Sequence, residues 1–298
     1  MDQPLLDAKL LRRLEQFQLL AARRTKSTAK GERRSRARGQ SVEFADFRNY
    51  VPGDDLRYLD WNLFGRLDRL FLKLYEEERE LPVRLFLDSS ESMSFGEPPK
   101  FRFACQIAAA IGYVTLCGFD RVSVIQFPEP ADNLATRGAL RSVRGRKSGT
   151  TYLAHLATLR AKGAASFNES LKRGALEARQ TGVAVVLSDF LDPAGYDAGL
   201  NALVGRGFQV HAIQILSPEE LAPTQYGDLR WIDSESGAVQ EVTFGKFRLK
   251  EYQRTVNNYV QRLREFCQSR GVAFSSLSSA APLEILLLKQ LRETALWG

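Results

Sequence analysis

The sequence predicts a doubly wound, mostly parallel α/β domain over about residues 81–298, preceded by an N-terminal extension. Three observations lead there. Apolar, β-branched runs such as "VRLFLD" (83–88) and "VAVVLSDF" (183–190) are continuous rather than alternating, as expected of strands covered on both faces. Stretches with helical spacing separate these runs, which is the order that parallel crossovers require. The 298 residues, 44% hydrophobic and 26% charged, suffice for one large domain with an appendage.

Taken in chain order, residues 4–24 read as an amphipathic helix, with Leu5, Leu6, Leu10, Leu11, Leu14, Phe17 and Leu20 on one stripe. Between Arg23 and Arg38 the chain carries eight basic residues and one acidic, which accounts for the whole formal charge of +7. This segment has almost no apolar content and is expected to be a solvated loop. Residues 39–82 mix aromatics with charges and contain the turn signal "VPGDD", so strand fragments and turns are expected. From Val83 the alternation begins: a helix near 101–117, the strand "RVSVIQF" (121–127), two helical stretches between Tyr152 and Gln180, and the strand at 183–190. A helix near 194–205, the strand "FQVHAIQIL" (208–216), a long helix near 247–270, the strand "VAFSSLS" (272–278) and a closing helix near 282–296 complete it. Two segments interrupt the pattern. Residues 132–147 fit an edge strand with a basic loop, and 229–244 alternate around Ser-Gly as an inserted β-hairpin. The expected divisions are 1–38, an N-terminal helix and basic loop; 39–80, a β/turn subdomain packing on the core; and 81–298, the α/β domain with its hairpin at about 228–244.

Composition excludes several classes. Cys105, Cys117 and Cys267 are odd in number and far apart, without the spacing of a zinc site or disulfide framework, which indicates a reducing, cytoplasmic setting. The N-terminus lacks the order of a signal peptide, and no window approaches eighteen uncharged apolar residues, so no membrane association is expected. His155 and His211 are too sparse for a metal or triad. His211 lies in an apolar strand pattern and reads as a core residue.

In an open parallel sheet, ligands bind outside the carboxyl ends of the strands, where strand order reverses. Two strands end there in polar groups, "LFLDSSES" and "VVLSDF", and a third cluster, "SGTTYL" (148–153), opens a helix. Together they are expected to bring Asp88, Ser90, Ser92, Thr151 and Asp189 to one rim. Hard oxygen donors without His or Cys suit Mg²⁺, Mn²⁺ or Ca²⁺. Neutral serine hydroxyls leave the ion most of its charge, which favours a carboxylate from a partner. The plainer alternative is that Ser and Asp after a strand cap the next helix.

Asp88-x-Ser90-x-Ser92 after a strand, a later Gly-Thr-Thr and Ser188-Asp189 ending a second strand resemble the metal-ion-dependent adhesion site of von Willebrand factor A domains. That resemblance implies that the two serines and the threonine ligate the ion, that the aspartates act largely through water, and that a partner's acidic residue is bound without catalysis. Thr150 or Thr151 could be the threonine, and Thr151 is preferred because Leu153 then matches the apolar residue two positions on. The flanking stretches "EFADFRNYVPGDDLRYLDWN" (43–62), "LYEEERE" (74–80), "VLSDFLDP" (186–193) and "WIDSESG" (231–237) resemble the bacterial family of domain of unknown function fifty-eight. This implies a von Willebrand factor A-like protein with extra N-terminal and hairpin elements, working with a MoxR-type AAA+ ATPase.

The leading expectation is therefore a non-enzymatic interaction module, an adaptor for such an ATPase in chaperone-like maturation, with a client or the ATPase offering the acidic residue. One competitor is a phosphoesterase using Asp88 and Asp189, weakened because an aspartyl-phosphate enzyme carries a second acid where Ser90 stands. No Gly-x-x-x-x-Gly-Lys-Ser/Thr loop is present, so ATP hydrolysis is not expected. The other competitor is nucleic-acid binding through 23–38, which has no aromatic for base stacking and no recognition motif. Arg48, Asp54, Asp55, Arg57, Asp60 and Trp61 read either as an active site or as an ion-paired docking subdomain.

Overall fold

The computed structural model describes residues 4–17, 42–77, 80–128, 142–164, 166–223, 227–232 and 239–287. The basic segment 23–38, the end of the first expected helix and the helix end beyond 287 lie outside the described residues. The chain forms two compact units, Met1–Arg24 with Leu81–Gly298, and Thr25–Glu80.

The larger unit opens with helix α1 (Ala8–Leu14), shorter within the described residues than the stripe of leucines suggests. Asp7 caps it by accepting from the Leu10 amide, and Leu6, Leu10 and Leu14 are buried. In the smaller unit, strands β1 (Val42–Asn49) and β2 (Phe71–Glu77) pair antiparallel with a bulge between Phe44 and Asp46, and helix α2 (Trp61–Leu67) lies between them in sequence. Several charged residues of this unit pair with one another or cap a helix. Arg48 grips both oxygens of Asp54 at 2.7 and 2.8 Å, Arg57 pairs with Asp55, and Asp60 caps α2 through the amides of Asn62 and Leu63.

The larger unit is built on a six-stranded sheet. Its strands are β3 (Pro82–Asp88), β4 (Arg121–Phe127), β5 (Val143–Arg144), β6 (Val183–Ser188), β7 (Gln209–Leu216) and β10 (Ala273–Ser278), in the order β10-β7-β6-β3-β4-β5. All neighbours are parallel except the short edge strand β5, which pairs antiparallel with the start of β4. The mixed α/β class and the mostly parallel sheet follow from the alternation of runs. Each crossover needs a helix, and these are α3 (Lys100–Cys117), α4 (Gly149–Thr158), α5 (Phe167–Leu176), α6 (Asp197–Arg206) and α8 (Lys246–Ser269), joined by short helices α7 (Pro218–Leu221) and α9 (Leu283–Ile285). The inserted hairpin pairs β8 (Gly227–Ile232) with β9 (Val239–Phe244).

Side chains alternate across the pleat. Leu85, Leu87, Val185 and Ile213 face α1, α3 and α4, whereas Phe86, Val186 and Ala212 face α5, α6 and α8. Every residue of β6 is buried, which is why its sequence is continuously apolar. Close approach between α3 and α4 depends on Gly112, where a Cβ would overlap the ring of Tyr152. The Tyr152 hydroxyl donates to the Ala108 carbonyl at 2.7 Å. Strand order reverses between β3 and β6, since β3 continues to β4 on one side while β6 continues to β7 on the other. The crevice outside their carboxyl ends is the position the fold offers to a ligand.

A candidate carboxylate and hydroxyl site at the β3–β6 switch point

Both strands that flank the crevice end with the same local device. After β3, Asp88 Oδ1 accepts from the Ser90 amide at 2.9 Å, an Asx-turn that breaks the strand and leads into a single turn of tight helix, Glu91–Ser94. After β6, Ser188 Oγ accepts from the Phe190 amide at 2.9 Å and Asp189 Oδ1 from the Leu191 amide at 3.0 Å. Phe190 adopts φ +60°, a backbone conformation unusual for a bulky residue, and its carbonyl accepts from the Tyr259 hydroxyl. The strand ends are thus turned sharply and side chains of both meet.

The cluster is continuous. The Ser90 hydroxyl donates to Asp88 Oδ1 at 2.7 Å and lies 3.0 Å from that of Ser92. Ser92 donates to Asp189 Oδ2 at 3.2 Å, and Ser188 donates to Asp88 Oδ2 at 2.5 Å. Gln214 of β7 holds the Asp189 carbonyl at 3.1 Å. Asp88, Ser90 and Asp189 are all buried. The structure therefore brings together Asp88, Ser90, Ser92 and Asp189. Helix capping is not what these hydroxyls do: the turn after Ser90 and the start of α3 at Pro99 have no side-chain cap.

Thr151 is placed elsewhere, and the expectation of five residues on one rim is corrected on this point. Helix α4 begins just after β5, whose residues Val143 and Arg144 pair with Val122 and Arg121 at the first turn of β4. The cluster lies at the other end, where Asp88 is level with Phe127, six residues and roughly 20 Å along the strand. Tyr152, beside Thr151, is anchored to Ala108, eight residues and about 12 Å along α3 from Lys100. Thr150 and Thr151 are both exposed. What reaches the rim is the segment after α4: the Lys162 amide donates to the Ser89 carbonyl at 2.7 Å, and the Glu91 amide to the Gly163 carbonyl at 2.9 Å.

Lys100 is the site residue that sequence reasoning missed. Its side chain is fully buried, and its ammonium donates to Asp189 Oδ2 at 2.7 Å and Glu220 Oε1 at 2.5 Å. Glu220 is fixed in turn by a capping box at the start of α7, where its Oε2 accepts from the Ser217 amide at 2.7 Å and Ser217 Oγ accepts from the Glu220 amide. Gly96, at φ +93°, lets the preceding loop lie against Ser217, since a Cβ there would overlap the serine. Burial pulls the Lys100 pKa down, but the charges of Asp189 and Glu220 outweigh it and the net direction is upward. Burial, and then the nearby charge of Asp189, push Asp88 above the ordinary carboxylate range against the opposing hydrogen bonds from Ser188 and Ser90.

The cluster holds three carboxylates, Asp88, Asp189 and Glu220, against one ammonium, a balance of −2 when all are ionised. Its donors are hard oxygens, with two neutral hydroxyls adjacent. This inventory fits a divalent ion such as Mg²⁺, Mn²⁺ or Ca²⁺, held by Ser90 and Ser92 with Asp88 and Asp189 beside them. Among the described residues no group of three or more His, Cys, Asp or Glu side chains forms a metal centre, so the hydroxyls are essential to any such site.

Comparison with known proteins agrees with the sequence resemblance at the level of family. Uncharacterized protein Rv1480 of Mycobacterium tuberculosis (strain ATCC 25618 / H37Rv) is 30% identical over 240 residues, covering 79% of this chain and 74% of that protein. Uncharacterized protein Mb1516 of Mycobacterium bovis matches to the same extent. Among solved structures, the conserved hypothetical protein BatB from Bacteroides thetaiotaomicron covers 72% of this chain and 98% of its own, with 13% identity and a TM-score of 0.42. An aerotolerance-related membrane protein from Bacteroides fragilis gives 14% identity and 0.41. The family model described as "Protein of unknown function DUF58" matches residues 46–261, most of the chain, and the protein belongs to that family.

Proposed function

We propose that the protein is a non-enzymatic interaction module of the von Willebrand factor A type, whose Asp88, Ser90, Ser92 and Asp189 hold a divalent ion and present it to an acidic residue of a partner. The observation that carries this reading is the cluster itself, where two buried aspartates and two adjacent serine hydroxyls meet at the switch point. When bound, the ion supplies an electrophilic position for a carboxylate ligand. The protein's own residues do the rest. Ser188 and the Ser90 amide orient Asp88, the Leu191 amide orients Asp189, and Asp88, Ser90 and Asp189 are all buried. The partner class follows from the family resemblance: a MoxR-type AAA+ ATPase or a client in its chaperone-like pathway, in the cytoplasm.

The test has two parts. Calorimetric titration with Mn²⁺ or Mg²⁺ should show one site that Asp88→Asn abolishes. Recovery of a MoxR-type ATPase on the immobilised protein should then be greater in Mg²⁺ than in EDTA and lost with Asp88→Asn. Equal recovery in every condition sinks the metal-bridged reading.

A further inference from the structure

We infer that Lys100 is a tethered cation that competes with the divalent ion for Asp189 and so sets the affinity of the site. This rests on the metal reading above. Three observations support it. The ammonium lies 2.7 Å from Asp189 Oδ2, the same oxygen to which Ser92 donates, so it stands where an ion on the Ser90 and Ser92 hydroxyls would meet that carboxylate. The side chain is fully buried, so its charge is screened by solvent less than that of a surface lysine. Finally, Lys100 has a second anchor. Glu220, held by the capping box of α7, gives the ammonium a place to remain when Asp189 is taken up by a metal. The site thus alternates between two pairings, Lys100 shared by Asp189 and Glu220, or Lys100 on Glu220 alone with Asp189 facing the ion.

Lys100 and its second anchor make predictions of opposite sign. Lys100→Met keeps the length and apolar stem but removes the competing charge. Glu220→Gln keeps the capping geometry, since glutamine serves at that capping-box position, but leaves the whole ammonium charge to Asp189. Mn²⁺ binding to the full chain, read by calorimetry and by the amplitude of free Mn²⁺ in electron paramagnetic resonance, should tighten at least about tenfold in Lys100→Met and weaken about threefold or more in Glu220→Gln. Mn²⁺ should also raise the melting temperature of Lys100→Met by more than that of the unaltered protein. If Lys100→Met does not fold without metal, Glu220→Gln alone decides. Mn²⁺ binding that Asp189→Asn abolishes, but that is no tighter in Lys100→Met, overturns the competition and leaves the metal reading standing. No Mn²⁺ binding in either the unaltered protein or Lys100→Met overturns both.

Discussion

At the scale of single residues, the site owes its character to charges held in a space that excludes water. A buried ammonium is tolerated because two carboxylates receive it, and breaking such an arrangement from one side leaves an uncompensated charge. Asp189→Asn leaves the ammonium on Glu220 and should lower Mn²⁺ affinity by at least about tenfold, read by calorimetry. Thr151→Ala offers the contrast. Exposed and at the far end of α4's packing, it should leave Mn²⁺ affinity and unfolding midpoint unchanged, whereas a large loss of affinity would return that threonine to the site. The expectation for Thr151 comes from the sequence: Gly-Thr-Thr-Tyr-Leu opens a helix after a strand, as a rim segment does. The chain reaches the rim only after that helix has run back along α3, so it is Lys162 and Gly163 that meet Ser89 and Glu91.

At the scale of elements, the pairing of α3 with α4 rests on one small residue. Gly112 admits the Tyr152 ring, which is fully buried and donates to Ala108. Gly112→Ala forces a rigid ring aside and should cost about 1–3 kcal/mol by thermal or urea unfolding, although alanine is by propensity the better helix former. Stabilisation instead would mean that the ring moves freely. Tyr152→Phe should cost about 1 kcal/mol through the lost hydroxyl bond alone. Neither change touches the Asp88 cluster, so metal affinity should be retained in both. Strand ends behave differently from helix contacts. The Asx-turns at Asp88 and Asp189 are made by neighbours in sequence, and for that reason "LDSSES" and "LSDF" could be read as paired strand terminators without knowledge of their surroundings.

At the scale of the whole molecule, the buried His211 of β7 couples folding to pH. Burial lowers its pKa from 6.5 to about 4. Between those values the unfolded chain binds a proton that the folded chain refuses, so this residue's contribution to stability falls as pH drops through the window. His211→Val removes that penalty. Compared by urea unfolding at pH 7.5 and pH 5, the variant should gain about 2 kcal/mol relative to the unaltered protein at the lower pH. A gap that does not change with pH would show that His211 has the same pKa in the folded and unfolded states. No helix among the described residues is long and apolar enough to cross a membrane.

The sequence by itself determined the alternation of strands and helices, the burial of β6 on both faces, the hairpin at about 228–244 and the oxygen-rich ends of β3 and β6, because each is written in the periodicity or turn chemistry of a short stretch. Only the tertiary structure decided which of those stretches meet. Lys100 and Asp189 are 89 positions apart, and nothing in "PPKFRFA" distinguishes a buried ammonium from a solvated first-turn lysine. Thr151 and Asp88 belong to segments with similar signatures, yet the direction of α4 along α3 separates them. Pattern reports what a segment is, whereas a charged site depends on which segments the sheet order and helix packing bring within a few ångströms of one another.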